Sequence, residues 1–239
     1  DIKKTKLVGS GAGASAIACL RLLVEAGLPR ENITICDREG VVYKGRNTGM
    51  DPAKEEFASD TKDRTLGDAI KSANVFLGLS GPGVLDQDMV KSMADAPLIM
   101  ALANPTPEIM PELAKEVKPN AVICTGRSDY TNQVNNVLCF PFIFRGALDV
   151  GATTINEEMK LACVHAIAKL ARKEATAEVA SLYSDEILDF GSDYLIPKPF
   201  DPRLIVDVSA AAAQAAMDTG VAARPIKDMA AYKEKLHQF

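Results

Sequence analysis

The chain has 239 residues, of which 47% are hydrophobic, and a formal net charge of −5. That size and composition can bury one large core, with or without an appended unit. The acidic balance and the lack of a basic block argue against nucleic acid and anionic membranes as partners. No apolar run approaches the roughly 18 residues that a membrane span requires.

The cysteines indicate a reducing environment. Their number, five, is odd, they form no CxxC pair, and most stand in apolar stretches. Such cysteines usually behave as small buried hydrophobes, which favours a cytoplasmic protein. The chain starts at Asp1, shortly before its first predicted strand and without a signal-peptide pattern, so we expect a piece of a longer protein.

A glycine-rich turn follows the first predicted strand, which contains Leu7 and Val8. Gly11-x-Gly13-x-x-Ala16 fits the dinucleotide fingerprint, in which the glycines allow a tight turn and let backbone N–H groups approach a pyrophosphate. Apolar residues at helical spacing come next, so we expect the phosphate at a helix N-terminus. The alternative is a strand-to-helix turn that binds nothing.

The second predicted strand, residues 32–36, ends in Asp37, 24 positions beyond Gly13. A carboxylate there ordinarily meets a ribose hydroxyl, which by itself favours NAD. Arg38 follows directly, and Lys44 or Arg46 can approach through the next turn, so a 2′-phosphate could also gain charge-assisted hydrogen bonds. The alternative is that Arg38 is a solvated side chain on a loop.

Apolar strands and helical segments then alternate. After Asp51-Pro52, a plausible helix start, the pattern predicts helices at 65–73, 86–93 and 111–117 and strands at 74–79, 98–103 and 121–124. This alternation predicts an α/β, Rossmann-like fold: a doubly wound, mainly parallel sheet with helices on both faces.

The pattern changes near residue 145. Helices are predicted at 155–173, 176–188, 208–217 and 229–237, with a proline-fixed extended connection at 196–202. We interpret residues 1–145 as a dinucleotide-binding core. Residues 146–239 are interpreted as a C-terminal helical cap packed on the same domain, because its helices look too apolar to stand alone.

Three turns at predicted strand ends have unusual compositions. They are 80–83, 104–107 and 125–129, the last leading into an amide-rich run at 132–136. Amides suit a nicotinamide and a small dicarboxylate, since they bond both without adding charge beside a reacting hydride. The alternative is that these asparagines simply form turns.

Taken together, several of these segments resemble the nucleotide-binding domain of the bacterial malic enzymes. The segments are 9–14, 40–46, 103–107, 126–130, 135–141 and 196–202, so the resemblance covers essentially the whole chain. The C-terminal part is similar to the NADP-dependent form that carries a phosphotransacetylase-like domain. The resemblance implies oxidation of (S)-malate and decarboxylation to pyruvate and CO2, with reduction of NADP (alternatively NAD), in a homo-oligomer.

The resemblance also implies roles for individual residues. The implied coenzyme contacts are Gly11, Ala12, Gly13, Ala14, Ser15, Asp37, Arg38, Ser80, Gly81, Asn104 and Asn135, and the implied malate contacts are Asn104 and Asn136. The catalytic residues and the ligands of a divalent metal, Mg²⁺ or Mn²⁺, belong to an upstream domain absent from this chain. We therefore expect no catalytic residue and no metal ligand here, and an inactive fragment.

Two other functions stay open at this point. One is an NAD(P)-dependent dehydrogenase outside the malic enzymes, and the other is a non-catalytic nucleotide-sensing module. The two histidines are interpreted as packing or surface residues, since His165 stands in a largely apolar predicted helix and His237 near the end of the chain.

Overall fold

The computed structural model describes residues 1–239, which form two compact units, 1–134 and 135–239. The division falls earlier than the expected boundary at 145/146. The reason is a helix, Phe140–Asp149, which packs with later helices of the second unit and was not predicted from the sequence. Its proline, Pro141, lies in the first turn, where a missing N–H costs nothing.

The first unit contains a six-stranded sheet. Its strands are β1 (Leu7–Ser10), β2 (Ile33–Asp37), β3 (Gly40–Val41), β4 (Val75–Gly78), β5 (Leu98–Ala101) and β6 (Val122–Thr125). Their spatial order is β3-β2-β1-β4-β5-β6, and all neighbours pair in parallel except β2 and β3, which are antiparallel. The predicted α/β class with a mainly parallel sheet is confirmed.

Helices cover both faces of this sheet. They are α1 (Ala14–Glu25), α2 (Pro52–Glu56), α3 (Leu66–Ala69), α4 (Gln87–Ser92) and α5 (Pro111–Val117). Successive strand residues point to opposite faces, so Val8 and Phe76 join one buried cluster, with side chains of α3, α4 and α5. Leu7 and Leu77 join the other cluster, with α1. The doubly wound arrangement is therefore confirmed.

The strand order indicates where a ligand crevice lies at the edge of the sheet. The chain winds outward from β1 to β2 on one side and from β4 to β6 on the other, so the winding reverses between β1 and β4. Val8 lies between Thr34 of β2 and Phe76 of β4. In open α/β sheets, ligands bind beyond the carboxyl ends of the strands at such a reversal.

The short strand β3 closes one edge of the sheet. Val41 donates its N–H to the carbonyl of Arg64 at 2.9 Å, and Lys44 donates to the carbonyl of Ser59 at 3.0 Å. The backbone between residues 59 and 64 therefore lies along the outer side of β3 and the turn that follows it.

The second unit is helical. Its helices are α6 (Phe140–Asp149), α7 (Glu157–Leu170), α8 (Ala177–Leu182), α9 (Arg203–Asp218) and α10 (Met229–Leu236). The helix predicted at 176–188 ends early, because Tyr183 leaves helical geometry and its hydroxyl accepts the N–H of Phe200. No helix of the chain combines the length and apolarity needed to cross a bilayer.

Close contact between α6 and α9 explains the alanine-rich sequence of α9. A Cβ added at Gly146 would overlap the carbonyl oxygen of Ser209 and lie 2.9 Å from the Cβ of Ala212. Small residues on both helices let their backbones approach. The packing of this unit on the sheet stays a prediction.

Candidate nucleotide-binding site

Gly11 makes the turn between β1 and α1. Its φ is +111°, a conformation that residues with a Cβ rarely adopt. Its N–H donates to the carbonyl of Cys36 at 2.8 Å, and an added Cβ would overlap the carbonyl oxygen of Leu79. The turn thus passes directly against the residue that follows β4, and only glycine fits there.

Gly13 is the N-cap of α1 and serves a different purpose. Its φ is −85°, and an added Cβ would meet no atom within 4 Å, so space is open in front of it. No side chain caps this helix. The N–H groups of the first turn, which begins with Ala14 and Ser15, therefore keep their capacity to bind an anion, and the helix dipole favours one.

A cavity of about 770 Å³ opens beside this helix end. That volume is in the range of small-molecule sites, about 300–1,000 Å³. The lining residues include Gly11, Ala12, Gly13, Asp37, Arg38, Ser80 and Gly81, seven of the residues implied by the family resemblance. The cavity and the uncapped helix together fit the pyrophosphate and ribose of a dinucleotide.

Asp37, at the end of β2, is held by two cations. Arg46 donates from Nη1 to Oδ1 at 2.9 Å, and Lys54 donates from Nζ to Oδ2 at 2.8 Å. The side chains of Asp37 and Arg46 are 11% and 5% exposed. Burial would raise the pKa of Asp37, but the hydrogen bonds from Arg46 and Lys54 outweigh it and lower this pKa to about 2.

The structure separates the basic residues considered for a 2′-phosphate. Arg38 is exposed, lines the cavity and has no ion-pair partner in the chain. Arg46 is buried against Asp37, and Lys44 does not line the cavity. Lys54 does line the cavity. The sequence did not indicate this, because Lys54 lies 17 positions from Asp37.

Ser80, just beyond β4, connects to two neighbours. Its hydroxyl lies 2.8 Å from that of Ser10, at the end of β1. Its N–H donates to Oε1 of Glu108 at 3.0 Å. Glu108 is fully buried and was not recognised in the sequence, although it is a lone carboxyl group between Pro107 and the buried Ile109.

The three asparagines differ in position. Asn104 follows β5, and its exposed side chain lies over Gly126 beyond β6, where an added Cβ would come 2.6 Å from Nδ2. Asn135 and Asn136 belong to the second unit. Asn135 caps a short 3-10 helix by accepting the N–H of Val137 at 3.0 Å, and Asn136 is exposed. Their coenzyme and malate contacts stay predictions.

Divalent metal does not fit the side chains of this chain. Nowhere do three or more histidine, cysteine, aspartate or glutamate side chains come together as a metal site. Mg²⁺ and Mn²⁺ need several oxygen ligands in a cluster. The carboxylates of this chain are not gathered into such a cluster.

Comparison with known families decides among the possible dinucleotide-binding proteins. The family described as "Malic enzyme, NAD binding domain" matches residues 1–185. The chain belongs to the malic enzyme family. An NADP-dependent malic enzyme of Salmonella typhimurium is 62% identical over 240 residues, and an NAD-dependent malic enzyme of Rhizobium meliloti is 60% identical over 239. Both alignments cover all of this chain and about a third of the relative, 32% and 31%.

Solved malic enzymes share this fold. The malic enzyme of Pyrococcus horikoshii has a TM-score of 0.84 and 32% identity, covering all of this chain and 54% of that one. The Entamoeba histolytica enzyme has a TM-score of 0.82 and 31% identity, covering all of this chain and 47% of that one. The Rossmann-like fold of this malic enzyme domain and its nucleotide-binding character are thus confirmed.

The two loop glycines should respond differently to alanine. Gly11→Ala forces a methyl group against Leu79 and should lower the free energy of unfolding by about 2–4 kcal/mol. Gly13→Ala meets open space, so stability should stay within about 0.5 kcal/mol while NADP binding weakens at least about 10-fold, because the methyl group enters the expected pyrophosphate position. Chemical denaturation and NADP titration measure both; equal effects of the two variants on stability would contradict this assignment.

Asp37 should also give a pH-dependent contribution to stability. Because its folded pKa of about 2 lies below the ordinary value of 3.8, the contribution is present above about pH 4 and is lost as the pH falls toward 2. At pH 7, Asp37→Asn should cost about 2 kcal/mol, whereas Asp60→Asn, which removes an exposed carboxylate, should cost almost nothing. Denaturation between pH 2 and 7 tests this, and a cost independent of pH would argue against the ion pair.

Proposed function

We propose that the complete protein carrying this chain catalyses the NADP-dependent oxidative decarboxylation of (S)-malate to pyruvate and CO2, and that this chain binds the coenzyme. The observation that carries the proposal is the uncapped N-terminus of α1 beside a 770 Å³ cavity, in a chain of the malic enzyme family. The chain spans about a third of the length of the Salmonella and Rhizobium relatives. The activity therefore includes parts of the protein outside these 239 residues.

The proposal gives roles to residues that line the cavity and to further residues outside it. The Gly11 turn and the first residues of α1, Ala14 and Ser15, bind the pyrophosphate, and residues 37–38 bind the adenosine ribose. Ser80, Gly81, Asn104 and Asn135 bind the nicotinamide half, while Asn104 and Asn136 orient malate. When bound, the nicotinamide supplies the hydride acceptor.

The proposal extends to a metal, an oligomeric state and a cellular location. The divalent metal, Mg²⁺ or Mn²⁺, belongs to the upstream part of the protein, consistent with the lack of a carboxylate cluster here. A homo-oligomer follows from the family resemblance alone. A cytoplasmic location is supported by the five cysteines, all of which are free thiols.

The coenzyme is proposed to be NADP, with Arg38 and Lys54 at its 2′-phosphate. The relatives include NADP-dependent and NAD-dependent proteins at similar sequence identity, so identity alone does not distinguish NADP from NAD as the coenzyme. Asp37 would repel a phosphate if it stood alone, but Arg46 and Lys54 offset its charge. Arg38 stands exposed at the same end of the cavity and can form charge-assisted hydrogen bonds with a phosphate.

The activity is tested with malate, NADP and Mg²⁺, following NADPH absorbance. The complete protein should reduce NADP only when malate is present and should stop when a chelator removes the metal. The 239-residue chain alone should bind NADP but not oxidise malate, because the proposed metal ligands lie in the upstream part of the protein. A complete protein that binds NADP yet does not oxidise malate would instead indicate a nucleotide-sensing module.

The coenzyme choice is tested by Arg38→Ala in the complete protein. Losing a charge-assisted contact worth about 1.5–3 kcal/mol should weaken NADP binding roughly 10- to 150-fold. NAD binding should change little, and the control Lys44→Ala, outside the cavity, should affect neither coenzyme. Equal losses for NADP and NAD, or tighter wild-type binding of NAD, would show that the assignment is wrong.

A further inference from the structure

Glu108 is a buried carboxyl group that joins the loop beyond β4, which lines the coenzyme cavity, to the loop beyond β5. Its side chain has no exposure to solvent, and no lysine, arginine or histidine forms an ion pair with it. Burying a carboxyl group without a cation costs several kcal/mol unless hydrogen bonds satisfy its oxygens. The position therefore demands a specific set of hydrogen-bond donors.

Those donors come from two different loops. Oε1 accepts the N–H of Ser80, beyond β4, at 3.0 Å, and Oε2 accepts the N–H of Ala103, beyond β5, at 3.0 Å. Both acceptor oxygens are needed, because each branch of the carboxyl group faces a main-chain donor. Glutamine has the same shape but would present its NH2 group to one of these N–H groups.

The surrounding backbone is shaped to admit this carboxyl group. A Cβ at Gly78 would lie 2.5 Å from Cδ of Glu108 and within 2.8 Å of both its oxygens. The main chain at 107–108 also accepts hydrogen bonds, from Gly83 at 3.3 Å and from Leu85 at 3.1 Å. The loops beyond β4 and β5 are thus joined through both the side chain and the backbone around Glu108.

The residues next to these bonds are the ones assigned to the nicotinamide half. Ser80 donates its N–H to Glu108, and its hydroxyl lies 2.8 Å from that of Ser10. Asn104 follows Ala103, and its amide rests over Gly126. A change in the spacing of the two loops would therefore move Ser80 and Asn104 relative to each other.

We propose that Glu108 is a positioning residue for the nicotinamide half of the coenzyme: by accepting the N–H groups of Ser80 and Ala103, it sets the spacing of the loops that carry Ser80 and Asn104. The proposal rests on the proposed function. Glu108 touches neither coenzyme nor malate in this role and acts through the two loops. The adenosine half, bound near Asp37 and Arg38, does not depend on it.

The experiment compares NADPH with 2′,5′-ADP, which contains the adenosine half and lacks nicotinamide, in the complete protein. Glu108→Gln should lower kcat for malate oxidation by about 10- to 100-fold, because misplacing a reacting group by about 1 Å costs that much. It should weaken NADPH binding by about 10-fold and leave 2′,5′-ADP binding within about 2-fold. The control Glu116→Gln, which changes an exposed carboxyl group on α5, should alter none of these values.

A second variant distinguishes a positioning role of Glu108 from a loss of folding. Gly78→Ala keeps the carboxyl group but displaces it, so it should give the same selective loss of NADPH binding. Parallel losses for NADPH and 2′,5′-ADP, or failure of both variants to fold, would assign Glu108 to stability and overturn the proposal, as would unchanged NADPH binding and kcat. A wild-type protein that binds neither ligand would overturn the proposed function itself.

Discussion

Three glycines at the carboxyl edge of the sheet leave space that neighbouring loops occupy. Gly11 makes room for the Leu79 carbonyl, Gly78 for the Glu108 carboxyl group, and Gly126 for the Asn104 amide. In each case a single methyl group would overlap an atom of a neighbouring loop. The site therefore depends on glycine at three strand ends: one admits a neighbouring backbone carbonyl, and the other two admit the side chains of Glu108 and Asn104.

The electrostatic effect of Asp37 depends on the cations that bind it. At the end of β2, an aspartate ordinarily selects a free ribose hydroxyl. Here Arg46 and Lys54, nine and 17 positions later, bind both of its oxygens and offset its charge. The carboxylate thus ties Arg46 and Lys54 to the end of β2, and its charge is offset by two cations.

Much of the fold was predictable because hydrophobic periodicity is a local property. Helix α5 was predicted at its observed bounds, since Pro111 marks its start, and β4 differed by one residue at each end. Helix α6 was missed, because Pro141 and its neighbours look like a turn until they pack against α9. The glycine turn was likewise predictable. Glu108 and Lys54 were not, since Glu108 bonds to Ser80, 28 positions away, and Lys54 bonds to Asp37, 17 positions away.

The short strand β3 bears on how this domain behaves at high concentration. A sheet whose outermost strand offers free N–H groups can recruit a strand from a second molecule and polymerise. Here the outer strand is two residues long, and the carbonyls of Arg64 and Ser59 already accept the N–H groups of Val41 and Lys44. This border of the sheet is therefore poorly suited to templated strand addition, because the backbone of residues 59–64 already lies along it.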